Sequence, residues 1–75
     1  MLLCDLLPGE TAIIKGVSNK TPLCRRLKDI GFTNGNTVTC IMHSPLGEPT
    51  AYCILDTIIA LRHNDCNKIH IKKVI

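Results

Sequence analysis

The 75-residue chain is long enough for one domain and too short for two. Its 45% apolar content excludes a disordered segment, and with one Phe, one Tyr and no Trp the core has to be largely aliphatic. Nine basic and six acidic residues are spread along the chain for a net charge of +3, unlike the dense cationic patch of a dedicated nucleic-acid binder.

In chain order, an apolar lead, "MLLCDLL", reaches Pro8-Gly9, which reads as a turn. Thr11 to Ser18 is rich in β-branched residues and predicts a strand that Asn19-Lys20 ends. Thr21 then suits an N-cap and Pro22 a first helical position, where the missing N–H is no loss. Leu23, Leu27 and Ile30 follow at helical spacing and predict one buried face. Gly31 supplies the left-handed C-cap, and Phe32 stands where a Schellman motif makes its apolar contact, against Leu27.

Asn34-Gly35 reads as a turn, "NTVTCIMH" as the next strand, "SPLGEP" as a loop and "TAYCILD" as the strand after it. Pairing these two strands so that Val38 faces Leu55, Cys40 faces Cys53 and Met42 faces Ala51 puts six apolar residues on one face. Thr37, Thr39, His43 and Tyr52 then fall on the other. "TIIALR" predicts a further strand, "HNDCNK" a tight helical turn and "IHIKKVI" a closing strand. The expected fold is all-β with a small helix: about five short antiparallel strands in a small barrel, the helix inserted between the first two long strands, residues 1–75 forming a single domain. Closure into a barrel removes the exposed edges that an open sheet leaves.

The chemistry-bearing residues point away from catalysis. No G-x-S-x-G or H-E-x-x-H motif is present, and so small a core has little room for a substrate pocket. Five cysteines, at 4, 24, 40, 53 and 66, match no zinc-finger or ribbon spacing. Their odd number, with no C-x-x-C and no secretory h-region, fits reduced, buried thiols in an intracellular protein. Cys40 and Cys53, cross-strand neighbours in the expected register, and His43 are the candidate ligands for Fe2+ or Zn2+. The bland reading of the same residues is core filler plus a solvent-facing histidine. The longest apolar run, "AYCILDTIIAL", is interrupted by Asp56 and Thr57 and is too short to span a bilayer, so any membrane attachment goes through a partner.

Nucleic-acid binding is not expected. Single-strand binding in small barrels leans on aromatic stacking, and only Phe32 and Tyr52 are available. Protein docking fits better. Leu46 sits at a loop tip between Pro45 and Pro49, preorganised for contact or folded over a barrel end.

Taken together, "LLPGETAIIKGV", "LCRRLKDIGFTNGNTV", "SPLGEP" and "ALRHNDCNKIHI" resemble the ferrous iron transport protein A (FeoA-like) domain family over nearly the whole chain. The likeness rests on Leu6, Pro8 and Gly9; on Arg26-Leu27, Gly31-Phe32 and Gly35; on Pro45-Leu46-Gly47; and on Ala60-Leu61-Arg62. The resemblance implies an SH3-like β-barrel with a helical insertion. It also implies a small cytoplasmic accessory of ferrous iron uptake; with no catalytic motif in the chain, no enzyme activity and no required cofactor are expected, Fe2+ or Zn2+ being the candidates if a metal binds. Such a protein binds the FeoB-type iron permease and modulates its G-protein activity or transport; the alternative is a metal-sensing or metal-delivering domain using Cys and His. The partner surface implied is Arg25, Arg26, Lys28 and Asp29 on the helix together with Leu46. The five cysteines are not part of the family pattern.

Overall fold

The computed structural model describes residues 1–17, 22–45 and 48–74. Five antiparallel strands form one sheet: β1 (Thr11–Val17), β2 (Thr37–His43), β3 (Thr50–Ile54), β4 (Thr57–Leu61) and β5 (Ile69–Lys73), in the order β4-β3-β2-β1-β5. Helix α1 (Pro22–Ile30) lies between β1 and β2, as expected, and a four-residue helix α2 (His63–Cys66) joins β4 to β5. The apolar lead forms a short 3-10 helix at Leu3–Asp5, whose start is tied by the Leu2 N–H to the Asp5 carboxylate at 3.0 Å.

The local signals act where the sequence puts them. Pro8 and Gly9 occupy the middle of a turn closed from Glu10 N–H to the Leu7 carbonyl at 3.0 Å, and Gly9 takes the positive φ that position needs. Asn34-Gly35 makes a second turn of the same kind, closed from Asn36 to Thr33 at 3.2 Å. The end of α1 is a complete Schellman motif. The Phe32 N–H reaches the Leu27 carbonyl at 2.9 Å and the Gly31 N–H reaches that of Lys28 at 3.1 Å. Phe32 and Leu27 both enter the core.

The sheet curls around that core. Five strands laid flat at about 4.8 Å spacing put the edges roughly 19 Å apart. Yet Leu61 of β4 shares one apolar cluster with Ile69 and Ile71 of β5. Two bulges assist the curl: one in β1 between Ile14 and Gly16, one in β2 between Cys40 and Met42. The cluster also takes Leu3 and Leu6 from the N-terminal segment, Ala12 and Ile14 from β1, Val38 and Cys40 from β2, and Tyr52 and Ile54 from β3.

Three expectations are corrected here. First, Val38 faces Ile54 and Cys40 faces Tyr52; only Met42 opposite Ala51 holds, beyond the bulge. The extra residue, Ile41, breaks the alternation, so Ile41 and Met42 are both exposed. Second, β3 presents its other face to the core: Tyr52 and Ile54 are buried, Cys53 is half-buried and Leu55 is exposed. The core selects the larger set of side chains, since a buried Tyr or Ile removes far more apolar area from water than Ala or Cys. Third, Ile30 is 39% exposed, and Cys24 takes its place beside Leu27 in facing inward. Thr21, Ser18 and the side chain of Leu23 lie outside the described residues.

Leu55 and Asp56 end β3 early. Both have positive φ, 49° and 61°, which makes them the central pair of a two-residue type I′ hairpin closing on Ile54 opposite Thr57. The usual residues there are Asn and Gly, so nothing in "LD" announces the turn.

Candidate functional site

The outward face of α1 carries the residues singled out for partner contact. With Cys24 and Leu27 turned inward, Arg25, Arg26, Lys28 and Asp29 are all exposed. Three cations and one anion on a nine-residue helix leave that face with a charge of +2. Lys28 in the last turn also complements the negative end of the helix dipole. Leu46 lies outside the described residues, so its position relative to this face is not part of the geometry. Beside the helix end, the hairpin tip comes close: a Cβ built on Gly31 meets Leu55 Cδ1 at 2.6 Å. Exposed Ile30 and Leu55 thus adjoin the basic face, an apolar element whose residues helical periodicity (Ile30) and the expected strand register (Leu55) place on apolar faces.

The proposed metal ligands are not brought together. Cys40 is buried inside the sheet, whereas Cys53 stands on the outer face opposite Thr39 and Ile58. The His43 ring is held against the Leu6 carbonyl through Nε2 at 3.3 Å rather than turned freely to solvent. Among the described residues no group of three or more His, Cys, Asp or Glu side chains could hold a metal ion.

The thiols face a different chemistry. Burial pushes the Cys66 thiol up to about 11 and raises Cys4 and Cys40 as well. A thiol held protonated is a poor nucleophile, and packs as a small apolar group. Tyr52, fully buried, donates its hydroxyl to the Leu3 carbonyl at 3.4 Å and pairs with the Cys66 thiol. Burial first, and that pairing second, push the phenol well above its ordinary value.

These shifts predict alkaline sensitivity. Cys66 has an ordinary value of 9.0 and a folded value of about 11, so the folded state holds its proton longer than the unfolded state does. Its contribution is complete below pH 9 and is lost as pH rises from there through about 11. Tyr52, shifted in the same direction from 10.0, steepens the loss above pH 10. Thermal melts are therefore expected to be flat up to pH 9 and to fall beyond it. A melting temperature unchanged at pH 10.5 would contradict the buried pair.

A five-stranded antiparallel sheet curled round one core, with a single helix between its first two strands, makes this an SH3-like β-barrel domain. The comparisons agree and go further. Residues 1–73 match the FeoA domain family, and the chain belongs to it. It is 32% identical over 74 residues to the Fe(2+) transport protein A/Fe(2+) transporter FeoB fusion protein of Porphyromonas gingivalis, covering 99% of this chain and 9% of that protein. The solution structure of iron(II) transport protein A from Clostridium thermocellum superposes with a TM-score of 0.93 at 31% identity, over 99% of this chain and 46% of that one. The crystal structure of Stenotrophomonas maltophilia FeoA complexed with zinc, described as a prokaryotic SH3 domain protein, gives a TM-score of 0.87 at 26% identity, over 96% and 89% of the two chains. Among the described residues, no helix is long and apolar enough to cross a membrane.

Proposed function

We propose that this protein is a cytoplasmic, non-enzymatic accessory of ferrous iron uptake that binds a FeoB-type permease and modulates its nucleotide hydrolysis or iron transport. The observation that carries this reading is the P. gingivalis relative, in which a region similar to the whole of this chain is part of a FeoA–FeoB fusion protein. Two functions joined on one polypeptide commonly reflect parts that act together when separate. The outward face of α1, with Arg25, Arg26, Lys28 and Asp29, is the contact surface, continued by the loop around Leu46. Exposed charges of this kind steer encounter and set specificity more than they add raw affinity. No resident metal is required; iron is the permease's cargo.

The test is binding of the purified protein to the permease's cytoplasmic G-protein domain, with and without guanine nucleotide. The double variant R25E/R26E is expected to bind at least about tenfold more weakly at low salt, with an unchanged melting curve because both side chains are exposed. No association in either nucleotide state, with the domain or with the full permease, removes the reading. Full binding by the folded double variant moves the contact away from α1.

A further inference from the structure

The two edges of the sheet are treated differently. β5 is flanked by the N-terminal segment, where Leu2 bridges His70 and the Ile71 N–H donates to the Met1 carbonyl at 2.8 Å, and it carries Lys72 and Lys73. Among the described residues β4 pairs only with β3. Its sequence, T-I-I-A-L, has no charge and no proline, and Ile58 is 68% exposed. Natural sheets protect such edges with lysine, proline or a cover, because an open row of N–H and C=O groups is a template for another strand. Among the described residues β4 has none of these.

The hairpin geometry says which backbone groups are on offer. The two-residue turn at Leu55-Asp56 makes Ile54–Thr57 a hydrogen-bonded pair, and alternation makes Tyr52–Ile59 and Thr50–Leu61 the next two. Thr57, Ile59 and Leu61 thus face β3 with their backbone groups, and Ile58 and Ala60 direct theirs to the open edge.

We propose that β4 pairs antiparallel with β4 of a second copy, about a two-fold axis through Ile59. In this register Ile58 stands opposite the partner's Ala60 and Asp56 opposite the partner's Arg62, and both pairs recur across the axis. Every outward-directed backbone group of β4 then meets another. Ile58 and Ala60 share the outer face of the strand, so apolar faces apolar at the centre, with opposite charges at each end. A shift of two residues either way sets Ile58 against the partner's Arg62, or Asp56 against the partner's Ala60. Of these registers, all two-fold symmetric, only the one centred on Ile59 satisfies charge, hydrophobicity and hydrogen bonding together. That self-complementarity identifies a second copy as the occupant, and a self-pairing interface of this kind closes at two chains. The inference is independent of permease binding by α1.

Sedimentation velocity over a concentration series, with amide hydrogen exchange read by NMR, tests it. The full chain is expected to shift reversibly from monomer to dimer. The Ile58 and Ala60 amides gain protection as it does, while the Ile71 amide, already bonded to Met1, does not change. R62E sets Glu against Asp56 at both ends and is expected to weaken the dimer about tenfold, whereas R62K retains it. Ile58→Lys, at an exposed position, is expected to weaken it as much without loss of fold. A monomer at every concentration overturns the proposal and leaves the edge to an extended segment of another protein. So does a dimer in which Ile58 and Ala60 exchange as in the monomer, or one indifferent to both R62E and Ile58→Lys.

Discussion

Replacing Gly31 with alanine is expected to lower the melting temperature by roughly 5–20 °C, the effect of about 1–3 kcal/mol on a domain of this size. Two physical terms add. Gly31 holds φ at +129°, a conformation that an L side chain rarely adopts, and its Schellman bonds to Leu27 and Lys28 require it there. An added Cβ also comes within 2.6 Å of Leu55 Cδ1 and 3.1 Å of Leu55 Cγ. Leu55 is 61% exposed at a hairpin tip, so its side chain can swing aside and the steric share is the smaller one. The double variant G31A/L55A separates the two. Removing the leucine branch recovers a minority of the loss; the backbone share persists. Full recovery in the double variant would show that contact alone, and not conformation, demands glycine at this position.

Tyr52 is the other position where one side chain carries a large share of stability. It is the largest fully buried residue, touching the core from the middle of β3, with its hydroxyl directed at Leu3 and Cys66. Tyr52→Ala leaves a cavity and is expected to cost about 3–5 kcal/mol, comparable to the whole stability of a small domain. That variant should be largely unfolded near physiological temperature by circular dichroism. Tyr52→Phe keeps the packing and loses one neutral hydrogen bond, about 1 kcal/mol. The phenylalanine variant should also lose the steeper part of the alkaline decline above pH 10, because the buried phenol no longer contributes and only the thiols remain. A Tyr52→Ala protein as stable as the parent would mean that the β3 register places Cys53, and not Tyr52, inside.

The exposed ion pair between Lys73 and Glu10 is a contrast in scale. Its partners are close, and the lysine, first of all, holds the Glu10 carboxyl below its ordinary range. The lysine is well exposed, so removing its charge should leave the melt almost unchanged, whereas Glu10 also accepts the Leu7 N–H at 2.7 Å across the Pro8-Gly9 turn. The core decides stability in this domain, not the surface charge.

Features set within four or five residues were legible in the sequence. The two Gly turns, the start of α1 at Pro22 and its Schellman end at Gly31-Phe32 depend on local φ preferences and on short hydrogen bonds, and all were expected where they occur. So was the order of five strands with a helix inserted after the first, because strand-forming runs alternate with turn residues along the chain. Solvent exposure of Arg25, Arg26, Lys28 and Asp29 followed from helical spacing.

The tertiary structure alone decided the rest. Which face of β3 turns inward depended on a single extra residue, Ile41, in the neighbouring strand, and a one-residue slip exchanges every side chain between core and solvent. Periodicity within β3 reads equally well with Tyr52 inside or outside. The core chose the phenol, and with that choice Cys40 lost Cys53 as a neighbour and the candidate metal pair came apart. The turn at Leu55-Asp56 is imposed by the pairing of β3 with β4 against the local preference of Leu55. That β4 pairs only with β3 among the described residues is likewise a property of strand order, which local sequence does not encode. Short-range energetics wrote the elements and their caps; cross-strand pairing and the competition to fill one small core assigned their faces, their partners and the edge left over.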